Sequence, residues 1–271
     1  MTAVDTHAST RADAPARPGF GATLRAEWIK FWTVRSTFWS TALLVVLGAG
    51  LTTLVCALAA KDLASGAAGD SPGSFITWGL MIAQITAVVL GALIVTSEYG
   101  TGMIRATLAA TPRRGAVLAA KVLLLGSTLF VVGTVTAFAG YFGGNWFLDR
   151  QGVGLALGDD GVLRSMFGSG LYAAGLGLLA AATGLLLRST AAVISVVLGT
   201  VFVVGNMAFL LPGTWGEWIA KLLPGNAGSP IATPVPFNPR LMDPWPGFAV
   251  FAAEVVVLLI AGWLTLARRD A

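Results

Sequence analysis

Six apolar runs, each long enough to cross a lipid bilayer, divide the chain between Phe38 and Leu266. A hydrocarbon core roughly 30 Å thick takes about 20 helical residues to cross, and the runs fall at about 38–60, 75–96, 116–141, 165–187, 191–211 and 247–266. The fourth and fifth are parted only by Arg188, Ser189 and Thr190, which leaves room for a tight turn at the bilayer surface and nothing more. Within hydrocarbon every backbone N–H and C=O must be bonded inside the protein, so only helices or closed barrels span it. Continuous apolar runs, unlike the alternating pattern of barrel strands, select helices. The expected fold is an all-α integral membrane protein with six transmembrane helices.

Composition removes most other classes. With 56% hydrophobic and 11% charged residues among 271, and a mean hydropathy of +0.79, no part of the chain is large and polar enough to form a soluble catalytic domain. Residues 1–19, rich in Ala, Thr, Asp, Arg and Pro, read as a disordered tail. No apolar run precedes Leu24, so an ordinary cleavable signal peptide is not expected. Cys56 is the only cysteine and His7 the only histidine, which excludes an intrachain disulfide and a Cys/His metal site. None of the lysines, at 30, 61, 121 and 221, follows a glycine, so the chain has no phosphate-cradling loop. The string Gly69-Asp70-Ser71-Pro72-Gly73 matches a nucleophile-elbow pattern but lacks the strand and helix that make one. No catalytic, cofactor-binding or metal-binding residue is expected.

An even number of spans puts both termini on one side, and Lys and Arg decide which. Arg11, Arg17, Arg25, Lys30, Arg35, Arg105, Arg113, Arg114, Lys121, Arg188, Arg268 and Arg269 share the side of the termini, against Lys61, Arg150, Arg164, Lys221 and Arg240 opposite. Both termini are therefore expected in the cytoplasm. The net charge of +4 and pI of about 9.6 are explained by contact with anionic lipid and call for no nucleic-acid partner.

Three segments are not simple spans. In residues 20–36, Leu24, Trp28, Phe31 and Trp32 fall on one helical face with Arg25, Glu27, Lys30 and Arg35 largely elsewhere. The pattern suits a helix lying in the membrane interface; the alternative is an extension of the first span ending in an aromatic belt. In the connection 98–114, Thr101 can cap a short helix with Ile104, Leu108 and Thr111 on one face, ended by Pro112. Such a helix can seat in a groove of another protein, or the segment can be a loop whose arginines enforce topology. The connection 212–246 combines Trp215, Trp218 and Trp245 with many prolines, as expected of short helices dipping into the opposite interface.

Inside the bilayer, Glu254 lies roughly 10 Å deep at 1.5 Å per residue, where it can serve a cationic group or proton or be a structural partner for polar neighbours. Lys121 is near enough to the surface to extend its ammonium to water and has no assigned role. Small residues four apart, at Ala83, Ala87 and Gly91 and at Ala173, Gly177 and Ala181, allow close helix packing within or between subunits.

Taken in order, these features resemble the permease subunit of type-2 ABC exporters, a family that exports drugs, antibiotics, lipids and polysaccharides. The resemblance covers nearly the whole chain. It is most specific at RAEWIKFWTVRSTFW (Arg25 to Trp39), with Glu27, Lys30, Arg35 and Ser36 at matching places of the family's connecting helix, and at EYGTGMIRATLAATPRR (Glu98 to Arg114). The latter looks like the coupling segment, an acid-aromatic pair (Glu98-Tyr99) followed by an apolar-Arg pair (Ile104-Arg105); LLPGNAG (Leu222 to Gly228) is similar to the re-entrant stretch before the last span. Gly100 and Gly102 suggest a looser hinge than the family pattern. The resemblance implies a permease of the bacterial inner (plasma) membrane, paired with a second permease subunit as a homo- or heterodimer. Two cytoplasmic ABC ATPase subunits would bind ATP and Mg and drive it, and the permease would hold no cofactor itself. Glu98, Tyr99, Ile104, Arg105 and Leu108 would carry ATPase coupling, and Trp28, Phe31 and Trp32 the interfacial helix. The competing readings are an ion-gradient transporter or channel, which would be expected to show paired broken helices or several intramembrane charges, and a membrane assembly protein without transport.

Overall fold

The computed structural model describes residues 19–67, 69–103, 107 and 113–268. Among them no strand occurs, and six helical stretches are long and apolar enough to cross a membrane. Helix α1 (Phe20–Thr33) precedes the first span, α2 (Arg35–Ala64). The second span is a single turn, α3 (Pro72–Phe75), followed by α4 (Trp78–Gly100). The third and fourth are α5 (Arg114–Asp149) and α6 (Val162–Leu187). The fifth starts as α7 (Thr190–Leu198), loosens into a π segment at Gly199–Val204 and ends at Leu210; α8 (Gly213–Leu222) and α9 (Pro224–Gly228) then lead to the last span, α10 (Pro244–Arg268). The spans agree with the apolar runs to within a few residues, except that α5 carries on well past Tyr141 to Asp149. The chain is an all-α membrane protein.

The fourth span is the centre of the bundle. It packs against α4, α5 and α10, and its Gly/Ala-rich sequence explains why three neighbours reach it. Both small-residue series lie in these contacts, inside the chain and not on its outer surface: Ala83, Ala87, Ala173 and Ala181 are buried, and Gly91 faces Gly177 so closely that a Cβ would fall into the Gly177 carbonyl. Backbone contact of this kind gives dispersion energy where no hydrophobic effect separates helix from lipid. The first, fifth and last spans are peripheral and turn large side chains outward, Leu54 and Leu58 on α2 and Val256, Val257 and Ile260 on α10 among them.

The long connection after the fifth span folds back into the bundle. The 3-10 turn Ser229–Ala232 packs between α6 and α10 with Ile231 fully buried. Arg164 at the start of α6 holds it, Nη1 donating to the carbonyls of Pro230 (2.9 Å) and Ile231 (3.3 Å) and Nη2 to those of Thr233 and Pro234 (both 3.2 Å). A guanidinium fork supplies the donors that irregular backbone at this depth otherwise lacks. At the other end of this helix pair, Arg188 closes the turn between the fourth and fifth spans in the left-handed conformation, φ 56°, its amide donating to the Gly184 carbonyl at 2.9 Å.

Candidate functional site

The end of the bundle that carries α1 and the C-terminus of α10 contains a closed ring of four charged side chains. Glu27 and Lys30 come from one face of α1, Glu98 from the last turns of α4, and Lys121 from the second turn of α5. Lys30 Nζ lies 2.7 Å from Glu27 Oε1 and 2.6 Å from Glu98 Oε1; Lys121 Nζ lies 2.8 Å from Glu27 Oε2 and 2.8 Å from Glu98 Oε1. Lys121 also donates to the Ile94 carbonyl at 3.3 Å. Glu98, Glu27 and Lys121 are only 3%, 4% and 7% exposed, whereas Lys30 is half-buried at the rim. Two carboxylates and two ammonium groups sum to zero charge, which is what makes their burial tolerable.

Lys30 lies outside the spans, and its protonation follows from the ring. Burial disfavours its charge, but hydrogen bonds and attraction from Glu27 and Glu98 outweigh that and raise its pKa above the ordinary value of 10.5. The stabilisation from this shift is fully present below that ordinary value and disappears as the pH rises through the raised one. At neutral pH Lys30 is a fixed cation.

The surroundings of Glu98 extend the connections of the ring. The Arg188 guanidinium sits 4.9 Å from the centre of the Tyr99 ring, so the residue next to Glu98 meets the turn between the fourth and fifth spans. Arg114, at the start of α5, donates to the Leu266 carbonyl at 2.7 Å near the C-terminus of α10, a cation at the negative end of a helix dipole. Thr101 donates back to the Ser97 carbonyl at 2.8 Å, and Gly102, at φ +70°, supplies the left-handed residue that stops α4. Beyond Gly102 only Met103 and Thr107 are described before Arg113, and both are helical. Ile104, Arg105 and Leu108 lie outside the described residues.

Two expectations are corrected. Lys121 does not extend to water: α1 lies across this part of α5, and two carboxylates within 3 Å hold the ammonium inward. The three aromatics of α1 do not share a membrane-facing side. Phe31 is buried with Thr23 and Glu27 against the bundle, at i, i+4 and i+8, while Trp28 and Trp32 face outward. The helix is held in this rotation by its two ionic contacts with the bundle, Glu27 to Lys121 and Lys30 to Glu98. It is also distinct from the first span, the chain bending at Val34 (φ −82°, ψ 119°).

Sequence reasoning placed Glu98 and Tyr99 at the end of the second span but did not join them to Lys121. The available signal was a lysine within an apolar run, which requires a partner. Glu254 stands apart from the ring, half-buried on α10, with one carboxylate oxygen buried and unbonded among the described residues. Ser71 accepts from the Gly73 amide at 3.3 Å and caps α3. No family model and no curated protein matches the chain, so the case for its function rests on this geometry: the root of one inter-span connection is tied by charge to an N-terminal helix and to the next span.

Proposed function

We propose that this chain is the transmembrane permease subunit of an ATP-driven ABC exporter, forming half of a substrate pathway with a second permease subunit in the plasma membrane, both termini in the cytoplasm. The observation that carries the reading is the ring of four charges at the root of the 98–114 connection. A segment that transmits force must be joined to what it moves, because a flexible root would absorb the displacement. Here Glu98 is bonded to α1 through Lys30 and to the third span through Lys121, while Tyr99 meets Arg188 and Arg114 meets the end of the last span. A push on residues 103–113 from a cytoplasmic ATPase would therefore reach every cytoplasmic connection and both terminal helices. ATP and Mg would be bound and hydrolysed in that partner chain.

Purification of the chain in mild detergent tests the proposal. A stoichiometric P-loop ATPase is expected to accompany it; its absence under conditions that keep the permease oligomer intact would favour a transporter driven by an ion gradient. Leu108→Asp, which puts an unpaired charge into the docking face, should abolish co-purification and transport in vesicles while leaving membrane insertion unchanged. Truncation at an interface core costs about 2 kcal/mol or more, whereas the rim change Arg105→Ala should be milder. Glu98→Ala should retain the ATPase yet lose transport per ATP hydrolysed.

A further inference from the structure

The half of the bundle remote from the ring holds a cavity of about 200 Å³ between the second and fifth spans, closed on one side by the segment after α9. Its wall includes Leu44, Tyr172 and Phe202, and among the described residues no charged side chain lines it. The fifth span reaches it through its π segment, which contributes Phe202 and sets the register of Asn206 one turn later; π segments within α-helices often mark functional sites.

Three of the four amide side chains in the wall are oriented the same way. Gln84 Nε2 donates to the Met81 carbonyl (2.7 Å), Asn206 Nδ2 to the Phe202 carbonyl (2.7 Å), and Asn226 Nδ2 to the carbonyls of Gly205 (2.8 Å) and Ala220 (2.9 Å). A carbonyl only accepts, so each amide nitrogen must face its carbonyl and the assignment of nitrogen and oxygen is fixed by chemistry. The three amide oxygens accept no hydrogen bond among the described residues; that of Gln84 is sealed among packed atoms, whereas those of Asn206 and Asn226 are not. A ligand that brings a donor can pair with the two accessible oxygens, those of Asn206 and Asn226.

We infer that this cavity is a binding site for an uncharged, ring-sized amphiphile that donates hydrogen bonds through a hydroxyl or N–H group. The size follows from volume: an apolar cavity of about 150 Å³ takes up benzene, so this one accommodates a ring with a small substituent. The polarity follows from the wall. Among the described residues of the wall an anion meets no cation and a cation no carboxylate, while an apolar molecule leaves the Asn206 and Asn226 oxygens unpaired. The inference goes beyond the exporter proposal and does not rest on it, since the site is formed within one chain whatever drives the protein.

The test uses the full chain in lipid nanodiscs and fluorine NMR of 4-(trifluoromethyl)phenol, with empty nanodiscs as the blank for partitioning into lipid. Saturable binding is expected for the phenol. Its methyl ether, 4-(trifluoromethyl)anisole, should bind more weakly, and 4-(trifluoromethyl)benzoate should not compete. Asn206→Leu, at an exposed position, should weaken phenol binding roughly three- to tenfold, the worth of one neutral hydrogen bond. Met81→Trp, which fills the cavity from its exposed side, should abolish it. Absence of saturable phenol binding, equal binding of phenol and anisole, effective competition by the benzoate, or phenol binding unchanged in Met81→Trp would overturn the inference.

Discussion

Lys121→Met removes one charge from the ring and leaves Glu27 and Glu98 to share Lys30. Breaking a buried pair in this way costs about 3–5 kcal/mol, so the variant should lose monodispersity on heating in detergent well below the wild type. Adding Glu98→Gln restores neutrality around the remaining Glu27 and Lys30 pair, and the double variant should recover most of the lost thermal stability. A double variant no more stable than Lys121→Met would mean that packing, not charge balance, sets the role of the lysine. Arg188 offers a separate test, because two effects oppose each other at one residue. The left-handed conformation costs a non-glycine residue about 1–2 kcal/mol, whereas the contact of its guanidinium with Tyr99 contributes about 0.5–2 kcal/mol. Arg188→Gly should therefore leave thermal stability nearly unchanged, and Arg188→Ala, which retains the strain and loses the contact, should be the less stable of the two.

At the scale of elements, the central contact is the crossing of the second and fourth spans. Gly177→Leu forces a branched side chain into Leu129 and the α4 backbone at a site where the helices meet through glycine, and should separate α4 from α6. The expected result is loss of folded protein on size-exclusion chromatography, while Gly126→Ala, whose Cβ would meet only ordinary contacts with Leu178, should be tolerated. The spans themselves were legible because hydrocarbon admits few solutions: an uncharged run of about 20 residues is a helix whatever its neighbours. The pairing of Gly91 with Gly177 was legible as spacing but not as partnership, since period-four small residues mark a close approach without saying to what. The rotation of α1 was not legible. Its aromatics suggested one face and Glu27 another, and the outcome depended on Lys121, a residue far away in the chain. The π segment at Gly199–Val204 was not legible either: Gly199 and Gly205 weaken the helix there, but glycine is common in membrane-spanning helices and does not by itself mark a π turn.

For the whole molecule, the charge distribution predicts which side faces the cytoplasm. Cys56 is fully buried, so the native chain offers an impermeant maleimide no accessible thiol among the described residues. Cysteines introduced at Ala67 and Gly158, both exposed, should be labelled from outside intact cells, and one at Ala14 only after permeabilisation; the reverse pattern would invert the molecule and exclude docking of a cytoplasmic ATPase on residues 103–113. Whichever side it faces, the ring that joins α1 to the bundle has a further property that follows from its connectivity alone. Each cation touches both anions and each anion both cations, so the four contacts form a closed circuit, and opening any one of them leaves an unbroken chain in which every ion still has a neighbour. Only Lys30–Glu98 and Lys121–Glu27 cross from α1 to the bundle, and parting both still leaves Glu27 with Lys30 and Glu98 with Lys121, so α1 can shift without stranding a charge in a dry environment. The assembly is a bearing in which load passes from one pair to the next, whereas a single ion pair in its place would be a bolt that either holds or shears.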